Sequence, residues 1–130
     1  VDLTFGPDPA THAYCTIGGM IANNSCGTHA LYAGKTVDNI AALRIVTYEG
    51  IDATVASYDD GRYSAVVAEG GPLASALAGL RELSRRYGDL VKERYPDIPR
   101  RVSGYNLDQL APEAGFNVAR ALVAARRLQR

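Results

Sequence analysis

The chain has 130 residues, 47% hydrophobic and 22% charged, and its 14 basic and 14 acidic side chains cancel to a formal net charge of zero. That length fits one domain able to bury roughly two-thirds of its unfolded surface, and a neutral chain offers no long-range field toward nucleic acid or an anionic membrane. No apolar run approaches the ~20 residues of a membrane span, and no signal-peptide pattern opens the chain. Two cysteines, Cys15 and Cys26, make no disulfide framework; a reducing, cytoplasmic setting is expected.

Residues 1–5 (VDLTF) alternate apolar and polar side chains and read as a short strand or its end. Pro7 and Pro9 hold the next turn extended, each restricting the residue before it. Residues 11–15 lead as a loop into Thr16, a candidate helix cap, and Ile17, Ile21 and the small residues between them suit one or two helical turns. The start of such a helix presents free N–H groups, which suit a phosphate or an anionic ring edge. Gly18 and Gly19 allow a sharp turn or the close approach of a flat ligand. Asn23, Asn24 and Ser25 offer donors and acceptors, and Gly27 permits another tight bend. So many constraints in residues 5–34 mark one wall of a cofactor site. His12 and His29 lack a third ligand at metal-site spacing, so no metal is expected. Cys26 has no evident base beside it, which favours packing against the wall over nucleophilic chemistry.

Residues 40–48 (IAALRIVTY) and 51–57 (IDATVAS) alternate around a Glu49-Gly50 turn and predict an antiparallel hairpin. Asp59, Asp60 and Gly61 read as a solvated turn rather than a metal site, and residues 63–68 as a further short apolar piece. Gly70-Gly71-Pro72 breaks the chain before its clearest helix, with Leu73, Leu77, Leu80, Leu83 and Tyr87 as the inward stripe and Arg81, Arg85 and Arg86 off it. Gly88 interrupts that helix, and Asp89 starts a second one with Val91 and Tyr95 inward, ending at Pro96. The arginines invite a nucleic-acid reading, but Glu82, Asp89 and Glu93 interleave with them, as on a solvated face. Beyond the loop at residues 96–101, Gly104 gives a bend and Tyr105 and Leu107 anchor a short helix; Asn106, Asp108 and Gln109 either reach a ligand or cap the turn. Asn117 caps a last helix through Val118, Ala121 and Leu122. The expected fold is α+β, an antiparallel sheet flanked by helices.

The order P-D-P, then T-I-G-G, then N-N-S-C-G resembles the flavin-binding domain of FAD-linked oxidases, of the vanillyl-alcohol-oxidase or PCMH type. The nearest subgroup is the FAD-linked dehydrogenases of D-lactate, glycolate and D-2-hydroxyglutarate. Residues 33–50 (AGKTVDNIAALRIVTYEG) and 103–123 (SGYNLDQLAPEAGFNVARALV) continue the likeness, which spans most of the chain with a less specific middle. The resemblance implies that residues 1–130 are a partial FAD-binding domain, its second lobe, within a larger oxidoreductase of small 2-hydroxy acids. It implies FAD contacts at Pro7, Asp8, Thr16, Ile17, Gly18 and Gly19, and binding near the flavin or its pyrophosphate by Asn23, Asn24, Ser25 and Gly27. Met20 stands where relatives often carry Asn. The arginine for the substrate carboxylate and the general base come, in that family, largely from a later substrate domain, so no catalytic residue is assigned. After A-L-V the family usually runs G-S-E-G-T; here Ala124-Ala125-Arg126-Arg127-Leu128 follows, a helix-favouring basic run without glycine.

The family's glycine-rich phosphate loop belongs to the preceding lobe, so this chain alone is expected to bind FAD weakly, with Ile17 and Ile21 left open for self-association or a partner. A second reading is a non-catalytic interaction module derived from such a domain. A Rossmann-type nucleotide site ranks last, because no G-x-G-x-x-G turn follows a strand. Neither substrate identity nor electron acceptor is written in the sequence.

Overall fold

The computed structural model describes residues 4–98, 101 and 104–125. They form two compact units: Val1–Ile40 with Asp97–Tyr105 and Leu122–Arg130, and Ala41–Pro96 with Asn106–Ala121. The secondary structure is α+β, as expected: short and long helices with an antiparallel strand pair.

In the first unit, helix α1 (Ile17–Asn23) starts where the sequence places it. Thr16 has the extended backbone of a cap, and its Oγ1 accepts the N–H of Gly19 at 3.1 Å. Gly18 and Gly19 therefore lie inside the first helical turn and do not bend the chain. Asn24 ends the helix in the left-handed region, φ 47°, a conformation asparagine tolerates. A one-turn helix α2 (Ala30–Ala33) and a 3₁₀ turn (Thr36–Asn39) follow. Pro7, Met20, Asn24, Thr36, Val37 and Val123 are among the unit's buried residues. Of the strand expected over residues 1–5, the first three lie outside the described residues, and Thr4 and Phe5 have no regular structure.

In the second unit, strands β1 (Leu43–Val46) and β2 (Asp52–Val55) pair antiparallel, Leu43 opposite Val55 and Val46 opposite Asp52. Leu43 and Ile45 face inward while Arg44 and Val46 face solvent, the alternation read from the sequence. Gly50 at φ 82° closes a three-residue turn between Thr47 and Ile51, whose backbones bond at 3.0 Å.

Helix α3 (Asp60–Glu69) replaces the loop and apolar piece expected there. Asp59 is its cap: its Oδ1 accepts the N–H of Arg62 at 2.7 Å. Helix α4 (Gly71–Arg94) then runs for 24 residues, straight through Gly88. No second helix starts at Asp89, because one glycine costs a helix only about 1 kcal/mol and nothing here offers the chain another path. Of its expected inner stripe Leu77 is buried and Leu73 and Leu80 are half-buried, whereas Leu83 and Tyr87 are exposed and Ala74 is buried beside them. Arg81, expected off the stripe, is half-buried on it, with its guanidinium over the rings of Tyr63, at 4.2 Å, and Phe116.

Two 3₁₀ turns (Leu107–Leu110 and Pro112–Ala114) precede the last helix, α5 (Val118–Ala121). Asn117 caps it as expected, its Oδ1 accepting the N–H of Arg120 at 3.0 Å. The anchors of residues 104–110 are Asn106 and Leu110, both buried; Tyr105 and Leu107, the expected anchors, are exposed. Asn106 serves the fold, since its Nδ2 donates to the carbonyl of Arg120 at 3.2 Å. The helix-favouring run at residues 124–128 does not continue α5. Ala124 is in the left-handed region, φ 73°, with its N–H on the carbonyl of Ile21 at 3.1 Å, and the last three positions of the run lie outside the described residues.

Candidate functional site

The wall predicted over residues 5–34 lies within the first unit, and its parts are set by local chemistry. The Pro7–Asp8 segment is a tight turn, closed by the N–H of Asp8 on the carbonyl of Phe5 at 3.0 Å. Asp8 has φ 39°, not the extended conformation that the following Pro9 predicts. Gly27 explains how this turn is seated. A Cβ on Gly27 would overlap the carbonyl oxygen of Asp8 and stand 2.7 Å from that of Pro7. The glycine is needed for close backbone approach, not for the bend the sequence suggested.

The amide-rich run divides into two roles. Asn24 is buried, and its Oδ1 accepts the N–H of Val37 at 3.0 Å, which locks the end of α1 onto the Thr36–Asn39 turn. The carbonyl of Ser25 reinforces that junction by accepting both the N–H and the hydroxyl of Thr36. The side chains of Asn23 and Ser25 meet no polar partner among the described residues and stay available to a ligand. Residues 9–11 and 23–26 enclose a cleft of about 280 Å³. Cys26 lines this cleft, as its expected packing against the wall requires, while Pro9, Ala10 and Thr11 are members that sequence reasoning did not single out; their closeness depends on the Gly27 contact, which leaves no periodic signal.

At the other end of α1, Gly18 is exposed, with no heavy atom within 4 Å of where its Cβ would stand, and Ile17 is 56% exposed. Met20 is buried and acts as a core residue. Thr16 to Gly19 therefore do not share the cleft of Asn23 and Ser25. They lie about one helix length, ~10 Å, along the same element. A long two-ended ligand fits that separation; a compact one does not.

Neither His12 nor His29 stands in a group of three or more His, Cys, Asp or Glu arranged to take a metal ion among the described residues. Instead both converge on Asp8. His12 Nδ1 is 3.3 Å from Oδ1, and His29 Nδ1 is 3.3 Å from Oδ2. His12 stands four residues after Asp8, a spacing that could have announced the first contact; the second is tertiary. Among the described residues no helix is long and apolar enough to cross a membrane.

The model of the FAD binding domain family matches residues 2–56. D-2-hydroxyglutarate dehydrogenase of Pseudomonas putida is 29% identical over 124 residues, 95% of this chain and 12% of the relative. Glycolate oxidase subunit GlcD of Escherichia coli is 38% identical over 56 residues, 43% of this chain and 11% of the relative. D-2-hydroxyglutarate dehydrogenase of Pantoea ananatis is 25% identical over 93% of the chain and 12% of the relative. The chain thus spans about 12% of the length of the dehydrogenases it matches. No solved structure matches at the same stringency. The P-D-P turn, the capped T-I-G-G helix and the polar cleft all lie within residues 2–56, the segment that matches the FAD binding domain family, whose cofactor is FAD.

Proposed function

We propose that this chain is the second-lobe wall of the FAD site in an oxidoreductase that oxidises a small 2-hydroxy acid of the D-2-hydroxyglutarate, glycolate or D-lactate type. The observation that carries the reading is the family match over the segment that holds both the open first turn of α1 and the cleft. Further support comes from the names of the relatives, a D-2-hydroxyglutarate dehydrogenase and a glycolate oxidase subunit.

FAD, when bound, supplies a ring that accepts a hydride equivalent. The residues of this chain would bind and orient it. Gly18 leaves backbone uncovered for a close approach, while Thr16 holds that turn in place from below. Asn23 and Ser25 would offer side-chain hydrogen bonds from the cleft, and Asn24 and Gly27 would keep that cleft in shape. The substrate-binding arginine and the general base are assigned to the remainder of the parent protein. Its electron acceptor is left open. A cytoplasmic setting belongs to the same reading, in keeping with two cysteines that carry no bridge.

The test is the full-length protein that contains this chain. It should purify with a flavin absorbance spectrum, and one of D-2-hydroxyglutarate, glycolate or D-lactate should bleach that spectrum under anaerobic conditions. A full-length protein without flavin would overturn the reading. A flavoprotein that none of the three acids reduces would overturn the substrate class alone.

A further inference from the structure

We infer that His12 and His29 are positioning residues for the FAD wall: acting through the Asp8 carboxylate, they hold the Pro7–Asp8 turn in the place on which Gly27 closes. The inference rests on the FAD reading and deepens it, because neither histidine belongs to the P-D-P, T-I-G-G or N-N-S-C-G pattern.

The geometry is a two-sided grip. Each oxygen of the Asp8 carboxylate has its own imidazole, at 3.3 Å in both cases. The imidazoles arrive from separate stretches of chain. His12 comes from the turn after Pro9, where its N–H donates to the Pro9 carbonyl at 2.8 Å. His29 is the residue before α2, where its carbonyl accepts the N–H of Ala33 at 2.9 Å, and its ring lies 5.4 Å from that of Tyr32. Asp8 needs such a grip. A left-handed conformation is uncommon for a side-chain-bearing residue, and Pro9 disfavours compact conformations at the residue before it. One backbone bond, Asp8 N–H to the Phe5 carbonyl, closes the turn, but it does not fix the outward face of Asp8. The carboxylate contacts do, and the carbonyl of the same residue is the atom that Gly27 abuts. Moving Asp8 would therefore move the loop that carries Asn23, Ser25 and Cys26 into the cleft.

The experiment uses the full-length protein, freed of flavin and titrated with FAD, with flavin fluorescence as readout and thermal melting of each apo variant followed alongside. H12A/H29A should bind FAD about three- to tenfold more weakly than wild type, and H12Q/H29Q, whose side-chain amides can still donate to the Asp8 carboxylate, should recover most of that loss. D8A should bind as weakly as H12A/H29A with both histidines present. A role in folding alone would lower melting yet leave FAD affinity at the wild-type value, and that result overturns the inference. So does wild-type affinity in D8A, which decides the matter if the double variant fails to fold. A wild-type protein that binds FAD no more tightly than H12A/H29A overturns the inference and spares the FAD reading; one that binds no FAD overturns both.

Discussion

Gly27 lies so close to Asp8 that a Cβ added to it would stand 2.5 Å from the Asp8 carbonyl carbon. The obstacle is backbone, which cannot swing aside as a flexible side chain can. Gly27→Ala should therefore destabilise the first unit by about 3 kcal/mol, the upper end of overpacking costs. Urea denaturation of the full-length protein, followed by a probe in this unit, checks it. An unchanged midpoint would mean that the two backbones part easily.

Gly18 should respond in the opposite sense. It is helical and has open space where a Cβ would go, so Gly18→Ala should stabilise α1 by about 0.5–1 kcal/mol. If FAD approaches the same backbone, Gly18→Leu should lower flavin retention by about tenfold or more while melting is kept. Gly19 is the poorer probe. A Cβ there would come within 3.2 Å of Thr16 Oγ1 and would disturb the cap as well as any ligand.

Asn24 and Asn23 differ although they are neighbours. Asn24→Ala would strip the buried N–H of Val37 of its acceptor, a loss of about 1–3 kcal/mol, and would put alanine in a left-handed position. Asn23→Ala removes no internal partner among the described residues and should change stability by no more than about 0.5 kcal/mol. Thermal melts separate the two, and FAD titration should show Asn23→Ala weakened at unchanged melting temperature.

Acid should act through a few exposed carboxylates. The Arg44 guanidinium, bonded to Asp52 at 2.9 and 2.7 Å, holds that carboxyl below its ordinary range; Arg85 does the same to Glu82, and Lys92 to Glu113. A depressed carboxylate stabilises the fold fully above its unfolded pKa, roughly 4, and loses that contribution as pH falls through the lower, folded value. Stability should thus decline on acidification below about pH 4, with a shallower decline in Asp52→Asn. Added salt should shrink that difference, because these pairs are exposed. An Asp52→Asn variant with the wild-type acid profile would remove the pair from the account.

What the sequence made legible is what short-range chemistry decides. Thr16, Asn117 and Pro72 mark helix starts because a cap oxygen or a pre-set φ acts within three residues. The hairpin follows from period-two alternation on either side of Gly50. The failures came where a tertiary partner outvoted a local signal. Asp59-Asp60-Gly61 has the composition of a turn, yet the Asp59 cap lets α3 begin there, and Asp60 pairs with Arg81 on α4. The inner face of α4 was misjudged because Arg81 looked too polar for it; two aromatic rings accommodate its guanidinium. In the candidate site, the motif residues were visible, but the division between Asn24 as a brace and Asn23 as an open group was not. The tertiary partners of Asn24, the N–H of Val37 and the carbonyl of Arg101, distinguish them.

The length of α4 has a consequence of its own. Its first half is fastened by apolar burial at Ala74 and Leu77. Its second half is fastened by polar threads: Ser84 Oγ donates to the Leu110 carbonyl at 2.7 Å, Lys92 meets Glu113, and Tyr95 Oη accepts the N–H of Leu107 at 3.4 Å, just past the helix end. Amide hydrogen exchange should therefore run in two regimes along one continuous helix, slow and salt-indifferent near Leu77, faster and quickened by salt toward Arg94.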